Sequence, residues 1–383
     1  MIKPAQRLHN TQEYYFSKKL REVRALMAAG NPIINLGIGS PDLEPPSEVI
    51  KALNESLVHE GAHQYQPYKG IPELRQTMAG FYKNHYDVLL DPDTQVLPLT
   101  GSKEGVMHIS LALLNKGDKV LVPNPGYPSY GAVAELVEAI PIFYALDEAH
   151  DWMPDLDALS NQDLSDVKLM WVNYPHMPTG ANPKGALFET LIAFAKKHSI
   201  VLVNDNPYSF ILNDTPNSLL SYAHKEDPCL ELNSLSKTFN MAGWRVGIVA
   251  GNPELVQHVL TVKSNMDSGM FYGLQKGAIA ALNSDIAWMH NLNKVYEERR
   301  LWAWKIADAL GCSFHKDAAG LFVWAKLPEG KEASEVSDRL LHEHHVFITP
   351  GFIFGTQGEG YIRISLCVDQ SALKTAYERI TTN

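Results

Sequence analysis

The hydrophobic residues of this chain are arranged as short apolar runs that alternate with amphipathic segments. The runs have the length of buried strands, and they lie at residues 95–100, 119–123, 168–173, 200–204 and 245–251. Turns rich in glycine, proline and asparagine follow most of them, and helical spacing of apolar residues follows the turns. Strands that alternate with helices predict a mostly parallel sheet, with ligands at the carboxyl ends of the strands.

The two ends of the chain show a different pattern. Near the beginning, a helix is predicted from Gln12 to Ala29, with Thr11 as its cap, because apolar residues recur there at helical spacing. In the last part of the chain, strands and helices are mixed, with strands expected at 321–325 and 346–349. This mixture is typical of an α+β domain.

Length and pattern together predict two domains. A chain of 383 residues exceeds the size at which one hydrophobic core usually stops growing. We expect residues 1–45 to join the small domain and residues 46–285 to form the large domain. Residues 286–383 are expected to form the small C-terminal domain, with the hinge near 286–293.

Composition restricts the partners and the compartment. The formal charge is -10, which argues against nucleic acid or an anionic membrane as the main partner, because both require a basic face. No apolar run approaches the roughly 18 residues that cross a bilayer. The first 16 residues lack the apolar region of a signal peptide, and the three cysteines are odd in number and widely spaced. These features predict a cytoplasmic protein.

The stretch from Ser234 to Gly247 carries the most specific chemistry. Ser234 and Ser236 flank Lys237, and Arg245 follows eight residues after the lysine. Hydroxyls and a guanidinium suit a phosphate. A lysine among cationic and apolar neighbours can lose its proton near neutral pH, and the neutral amine forms Schiff bases with carbonyls. Pyridoxal phosphate carries both a phosphate and an aldehyde, although a solvated lysine in a serine-rich loop has the same local sequence.

This Ser-x-Ser-Lys stretch with its following arginine resembles the cofactor-lysine motif of the class I and II aminotransferases, the fold-type-I pyridoxal-phosphate enzymes. The resemblance extends from Gly39 to Arg363 and includes at least six motifs in family order. It implies a large three-layer α/β domain with a mostly parallel sheet, a smaller α+β domain and a homodimer. It also implies that Lys237 forms the Schiff base with pyridoxal 5'-phosphate.

Two parts of the sequence are expected to bind the cofactor phosphate. Ser102 and Lys103 follow a predicted strand and open a helix, where free N–H groups attract anions; the spacing is not that of a Walker motif. The resemblance assigns both residues to the phosphate. The other part is the lysine stretch, with Ser234, Ser236 and Arg245.

Three further residues are assigned to the cofactor ring by the resemblance. Tyr127 matches the aromatic residue that stacks on the ring, and Tyr208 matches the tyrosine that hydrogen-bonds the phenolic oxygen. Asp205 matches the aspartate that pairs with the ring nitrogen. A carboxylate there keeps the nitrogen protonated, so that the ring can accept electrons from the substrate carbanion.

The resemblance also assigns residues to the substrate and to a second subunit. Gly39 and Arg363 match the residues that bind the substrate α-carboxylate. Tyr65 matches a tyrosine that reaches the partner's cofactor phosphate, and Ser268 lies in a loop that approaches the partner's active site. Residues around Tyr15 and Gly39 are similar to the LL-diaminopimelate aminotransferase branch, in which the N-terminal tyrosine contacts the substrate.

Met177 is the clearest departure from the family pattern. Relatives carry an asparagine at this position, which donates a hydrogen bond to the cofactor's phenolic oxygen. A thioether cannot donate and accepts only weakly. Its presence predicts a raised pKa of the Schiff base that Lys237 forms, unless another group of a shifted loop donates instead.

The function implied by these motifs is transfer of an amino group between an L-amino acid and a 2-oxo acid. Alternatives on the same scaffold are β-elimination at a C–S bond and a non-catalytic cofactor-binding module, although the chain has no spare DNA-binding segment. A nicotinamide dehydrogenase is disfavoured because the Gly37–Asp42 loop lacks the third glycine of the fingerprint. No metal site is expected, because the histidines at 342–345 do not have zinc-ligand spacing.

Overall fold

The computed structural model describes residue 3, residues 5–8 and residues 15–382. The first helix, α1, is seen at Tyr15–Ala28, and the predicted cap Thr11 and residues 12–14 lie outside the described residues. Gly30 ends the helical segment in a left-handed conformation, with φ at 89°. The short strand β1 (Ile34–Asn35) follows it.

A seven-stranded sheet forms the centre of the large domain. Its strands are β2 (Val96–Leu99), β3 (Lys119–Asn124), β4 (Ile140–Ala145), β5 (Val167–Val172), β6 (Val201–Asp205), β7 (Cys229–Ser234) and β8 (Gly247–Gly251). Their spatial order is β2-β8-β7-β6-β5-β3-β4. The strands from β3 to β7 run parallel, whereas β8 lies antiparallel between β2 and β7. The predicted mostly parallel sheet is confirmed.

Helices cover both faces of this sheet and make three layers. They are α2 (Ser47–Ser56), α3 (Pro72–Tyr86), α4 (Ser102–Leu113), α5 (Ser129–Leu136), α6 (Leu156–Ser160), α7 (Leu187–His198), α8 (Leu235–Thr238), α9 (Pro253–Lys263) and α10 (Tyr272–Leu282). The long helix α11 (Ile286–Ala309) follows them and packs on the small domain. Successive strand side chains point to opposite faces. In β5, Leu169 and Trp171 join one buried cluster, whereas Met170 and Val172 join the other. Each such buried side chain contributes about 1.5–3 kcal/mol, which holds the strand ends firmly.

The small domain contains an antiparallel sheet and uses both ends of the chain. Its remaining elements are β9 (Ser313–Phe314), β10 (Phe322–Lys326), α12 (Ala333–Glu343), β11 (Val346–Phe347), β12 (Thr349–Pro350), β13 (Tyr361–Ser365) and α13 (Gln370–Thr381). The four-stranded sheet has the order β12-β13-β10-β9, and β1 pairs with β11. Val23 of α1 packs with Leu341 and Phe347. The predicted α+β pattern is confirmed.

Several predicted boundaries are wrong by a few residues. The sequence predicts a helix that Ser47 caps and that ends near Glu60, whereas Pro46 occupies the cap position, Ser47 is helical, and the helix ends at Ser56. Arg245 precedes β8 instead of opening it, because its φ of 56° is left-handed. The expected hinge region at 286–293 forms the first part of helix α11, and its role as a hinge stays a prediction. Helix α10 ends at Leu282, and Asp285 caps the start of α11, where its carboxylate accepts from the backbone N–H of Ala287.

Candidate active site

The carboxyl ends of the parallel strands open into a cavity of about 670 Å³ between the two domains. Most of the predicted site residues line it. They are Gly39, Ser102, Lys103, Tyr127, Asp205, Tyr208, Ser234, Ser236, Lys237, Arg245 and Arg363. Met177 lines it as well. Residues that are far apart in the sequence are therefore brought to one place, where strand ends of the sheet meet the small domain.

Lys237 reaches the cavity from the short helix α8, which follows β7 directly. The Ser234 side chain begins this helix by accepting a hydrogen bond from the backbone N–H of Ser236 at 3.2 Å. The amine of Lys237 donates to the carbonyl oxygen of Gly39. Burial lowers the pKa of this amine below its ordinary value. Nearby charges also act on it, with Cys367 raising the pKa and both Arg363 and Arg245 lowering it. A lowered pKa favours the neutral, nucleophilic amine.

An anion-binding cup lies beside Lys237. Helix α4 begins at Ser102, and its cap residue, Gly101, has no side chain to accept from the N–H groups of the first turn. These N–H groups at the end of β2 are therefore available to an anion in the cavity. The Arg245 guanidinium packs so closely on Gly101 that a Cβ there would lie 2.1 Å from Nη2. Arg245 Nη1 also donates to Ser236 Oγ at 3.5 Å. Lys103 is exposed at the edge of this cup.

Asp205 ends β6 with one carboxylate oxygen held and the other left without a partner. The Tyr130 hydroxyl donates to Oδ2 at 2.8 Å, whereas the buried Oδ1 has no hydrogen-bond partner among the described residues. Burial raises the pKa of Asp205 to about 6, with Tyr130 opposing the shift and Glu231 adding to it. An unsatisfied buried acceptor costs about 1–3 kcal/mol unless a ligand donates to it. The protonated nitrogen of a pyridine ring would satisfy this oxygen, so the site fits pyridoxal phosphate.

Two tyrosines lie on the remaining cofactor side of the cavity. The Tyr127 ring is half-buried and meets the Tyr130 ring edge to face, with centroids 5.5 Å apart. Tyr208 is buried against Phe322, with ring centroids 6.0 Å apart. Burial raises the pKa of Tyr208, so its hydroxyl remains a donor at neutral pH. Sequence reasoning missed Tyr130 as the partner of Asp205, since its only signal is a position three residues after Tyr127.

Arg363 is held between two aromatic rings on the small-domain side. Its guanidinium carbon lies 3.9 Å from the Phe322 ring centroid and 4.5 Å from that of Phe354. Nη2 donates to the carbonyl oxygen of Gly37 at 2.8 Å. The neighbouring Gly39 must lack a side chain, because a Cβ would lie 2.4 Å from the Phe322 ring. Sequence reasoning missed both phenylalanines, since nothing local distinguishes them from core residues.

The Met177 sulfur lies against the Arg363 guanidinium, with Nη1 to Sδ at 3.5 Å. The backbone N–H of Met177 donates to Asn173 Oδ1 at 2.8 Å, and the Asn173 amide donates to the backbone carbonyl of Asp205. Next to it, buried His176 is hydrogen-bonded to Thr179 at 2.8 Å. The loop that carries Met177 is therefore fixed to the end of β6, and its sulfur faces the group assigned to the substrate carboxylate.

Three predicted site residues do not line this cavity in the single chain. The Tyr15 ring packs on Phe352 with centroids 5.0 Å apart, and Phe16 lines the cavity instead. Tyr65 is 90% exposed, and Ser268 is exposed as well. The loops of these two residues touch each other, because a Cβ on Gly269 would lie 2.3 Å from the Gln66 carbonyl oxygen.

Two further features of the described part of the chain concern metal ions and membranes. Within it, no group of three or more His, Cys, Asp or Glu side chains is placed to hold a metal ion. None of its helices has the length and apolar character needed to cross a membrane. His342 lies near the end of α12, where its Nε2 is 3.1 Å from a Glu22 oxygen.

Comparison with known proteins identifies relatives that match almost the whole chain. The sequence matches the family described as Aminotransferase class I and II over residues 31–380. The LL-diaminopimelate aminotransferase of Maridesulfovibrio salexigens is 40% identical over 387 residues, with 99% of each chain covered. The LL-diaminopimelate aminotransferase of Aquifex aeolicus is 37% identical over 382 residues, also with 99% of each covered.

A solved structure agrees with these sequence relatives. The substrate-bound structure of BacF from Bacillus subtilis superposes with a TM-score of 0.94 at 36% identity, covering 99% of this chain and 97% of that chain. The family match and the sequence relatives point to one activity class. The chain belongs to the class I and II aminotransferases, enzymes that transfer an amino group and that generally use pyridoxal phosphate.

Proposed function

We propose that this aminotransferase uses pyridoxal 5'-phosphate, attached to Lys237, to transfer an amino group between an L-amino acid and a 2-oxo acid. The observation that carries the proposal is that one cavity holds a half-buried lysine amine, an anion-binding cup and an Asp205 carboxylate oxygen that has no hydrogen-bond partner among the described residues. These three features match the aldehyde, the phosphate and the ring nitrogen of one ligand.

The residues that would hold the cofactor follow from this arrangement. The first turn of α4, with Ser102 and Lys103, and the Ser236 and Arg245 side chains would bind the phosphate. Ser234 has a structural role, because its hydroxyl oxygen already accepts a hydrogen bond from the backbone N–H of Ser236. When bound, the cofactor supplies an electron sink for the bonds at the substrate α-carbon.

The ring would be held by its face, its nitrogen and its oxygen. Tyr127 would stack on it, Asp205 would pair with the protonated nitrogen, and Tyr208 would donate to the phenolic oxygen. The Tyr130 hydroxyl fixes the Asp205 carboxylate for this contact. Together these residues fix the orientation of the ring relative to Lys237.

Lys237 would also act as the acid and base of the reaction. Once the incoming amino acid releases it, its neutral amine takes a proton from the substrate α-carbon and returns one during the transfer. Arg363 would bind the α-carboxylate and so orient the α-hydrogen toward this amine. The Gly39 carbonyl, which accepts from the amine, keeps Lys237 on the substrate side of the cavity.

The natural donor is the part of the proposal that a screen must establish. LL-diaminopimelate is the first candidate, because the relatives that carry its name are 37% and 40% identical over 99% of their length. The screen supplies each amino donor with 2-oxoglutarate or pyruvate and measures the new amino acid. Product formation with at least one donor supports the proposal, and failure with every donor contradicts it.

The same screen separates amino-group transfer from β-elimination at a C–S bond. This second reaction is tested because Met177 departs from the family pattern. Cystathionine is supplied without any oxo acid, and pyruvate and ammonia are measured. Transfer predicts no pyruvate above the level of the Lys237→Ala variant. Rapid pyruvate release, with no amino acid formed when oxo acid is added, would assign the enzyme to the lyases.

We also propose that the protein is a homodimer and that Tyr65 reaches the phosphate cup of the partner subunit. The loop of Tyr65 and that of Ser268 form one exposed patch, in which Tyr65 is 90% exposed and Met266 is 63% exposed. Large exposed apolar side chains grouped in this way are typical of an interface. Light scattering should give twice the chain mass, and Tyr65→Phe should weaken cofactor retention without changing that mass.

A further inference from the structure

Met177 contacts the Arg363 guanidinium, which we assign to binding of the substrate carboxylate. Both residues of this contact are buried, and hydrogen bonds hold the Met177 backbone in place. The backbone of Met177 is held by Asn173, which in turn is bonded to the end of β6. Both Met177 and Arg363 are 6% exposed. The sulfur is therefore an ordered part of the cavity wall, and its position depends little on the mobility of the methionine side chain.

The partners of the Arg363 guanidinium differ in strength. The Phe322 and Phe354 rings lie on the guanidinium, and Nη2 donates to the Gly37 carbonyl at 2.8 Å. A backbone carbonyl is a strong acceptor, whereas a thioether sulfur is a weak one. Nη1 carries two hydrogens, so it can keep its contact with the sulfur at 3.5 Å and donate its second N–H to an anionic carboxylate.

We propose that Met177 is a positioning residue for recognition of the substrate carboxylate. Its sulfur accepts one N–H of Nη1 and holds the guanidinium in the same orientation before and after the carboxylate binds. Because sulfur cannot donate, residue 177 adds no hydrogen bond of its own to the bound carboxylate. Carboxylate affinity then depends on the orientation of Arg363. The inference rests on the proposed function of the cavity.

This role differs from the cofactor effect that the sequence alone predicts for Met177. An effect on the cofactor's phenolic oxygen would change the chemical step and the pH dependence of the cofactor absorbance. An effect on Arg363 would change substrate capture, and so the KM, while the chemical step stays the same. The split between KM and kcat therefore distinguishes the two roles, and also distinguishes either from simple packing.

The test uses the holoenzyme with Met177→Leu and Met177→Asn, and with Met170→Leu as the matched control. Leucine has nearly the volume of methionine but no acceptor, and Met170 is a fully buried methionine of β5 in the same domain. We expect Met177→Leu to raise the KM of the best donor about 3–10-fold, the size of one lost hydrogen bond, with kcat within about twofold. Met170→Leu should leave the KM unchanged.

Asparagine at position 177 can accept from Nη1 and can also donate to the carboxylate, so we expect the KM to fall about threefold. Calorimetry with 3-phenylpropanoate, and with its neutral amide as control, measures carboxylate binding without turnover. The acid should bind more weakly to Met177→Leu than to wild type, whereas the neutral amide should not discriminate between them.

Three results would overturn the inference. An unchanged KM in Met177→Leu would show that the side chain only packs, and a lower kcat at constant KM would place its effect on the cofactor. Equal KM increases in Met177→Leu and Met170→Leu would indicate a general loss of packing. Absence of turnover by wild type with every donor would instead refute the proposed function, and this inference with it.

Discussion

The two walls of the cavity are built in different ways. The wall assigned to the cofactor consists of strand ends and helix starts of the large sheet, where Asp205, Lys237 and the first turn of α4 are held by backbone hydrogen bonds. The wall assigned to the substrate carboxylate is made of side chains from the small domain and nearby loops, in which rings and a sulfur surround Arg363. The first wall is set by the sheet, and the second by side-chain packing.

Contacts across the domain boundary position the second wall. Glu148, which follows β4 of the large sheet, accepts from Lys326 at 3.1 Å and from the Tyr361 hydroxyl at 3.2 Å. The Tyr361 ring stacks on Trp324 at 5.0 Å, and Trp324 meets Phe354 at 6.0 Å. Phe354 then covers the Arg363 guanidinium. A substitution at the domain boundary should therefore change the affinity for substrate and leave the affinity for the cofactor unchanged.

The largest expected effect comes from removing the amine of the cofactor wall. Lys237→Ala should lower kcat by a factor of about 10²–10⁴ or more, because it removes both the attachment point and the acid/base group. Visible absorbance of the bound cofactor and donor turnover are the measurements. Lys237→Arg is the matched control, since it keeps a long side chain that ends in nitrogen but has no primary amine. Near-normal multiple turnover in either variant would contradict the assignment.

The next largest effect is expected at Asp205, where one substitution should lower activity and raise stability. Asp205→Asn keeps the shape of the side chain but cannot stabilise a protonated ring nitrogen by charge. We expect kcat to fall about 100-fold or more and the cofactor Kd to rise. Equilibrium dialysis and steady-state kinetics measure the two effects. An unchanged kcat would show that Asp205 does not face the ring nitrogen.

The same substitution should stabilise the cofactor-free protein at high pH. Burial raises the pKa of Asp205 to about 6 in the folded chain, so the favourable neutral form is lost as pH rises through that value. Asparagine is neutral throughout. The variant should exceed wild type in free energy of unfolding by up to about 3 kcal/mol at pH 8, and the difference should vanish near pH 4. Urea unfolding of both cofactor-free proteins tests this.

A smaller effect is expected on the substrate wall. Arg363→Ala should raise the KM of every amino donor by about 10–100-fold, the size of one or two charge-assisted hydrogen bonds. Cofactor absorbance should be retained, in contrast to the Lys237 variant. Arg363→Lys keeps the charge but lacks the two-pronged guanidinium, so its KM should lie between those of wild type and Arg363→Ala. If every KM stayed the same, the carboxylate would have to bind elsewhere.

The smallest expected effect lies at the boundary between the walls. Glu148 is about one-third exposed, and such ion pairs contribute only about 0.2–1 kcal/mol each. Burial opposes ionisation, but contacts with Lys326, Tyr361 and His315 outweigh it and lower the pKa of Glu148. The stabilisation is therefore present above the ordinary pKa and lost as pH falls. Glu148→Gln should raise the KM about 2–3-fold at pH 8 and leave cofactor affinity unchanged; weaker cofactor binding would show that the walls are not independent.

The difference between the walls also explains what the sequence could predict. Asp205 and Lys237 follow apolar strands directly, so local pattern is enough to place them at one edge of a parallel sheet. The surroundings of Arg363 come from segments near residues 37, 177, 322 and 354, and no local pattern joins them. Their contacts exist only after the two domains pack together.

Some details require more than one chain or a finer register than periodicity gives. Phe16 lines the cavity instead of Tyr15, because one residue along a helix rotates the side chain by about 100°. The roles of Tyr65 and Ser268 depend on a second subunit and stay predictions. The domain boundaries after residues 45 and 285 also stay proposals; the second coincides with the start of α11 at Ile286.

The attachment of pyridoxal phosphate to Lys237 is the central claim, and one measurement tests it directly. The holoenzyme is treated with sodium borohydride, which makes a lysine–cofactor bond permanent, and is then digested and analysed by peptide mass spectrometry. The account predicts one modified peptide, which carries the reduced cofactor on Lys237. A label on Lys103, on another lysine, or on no peptide of a protein that retains the cofactor would contradict it.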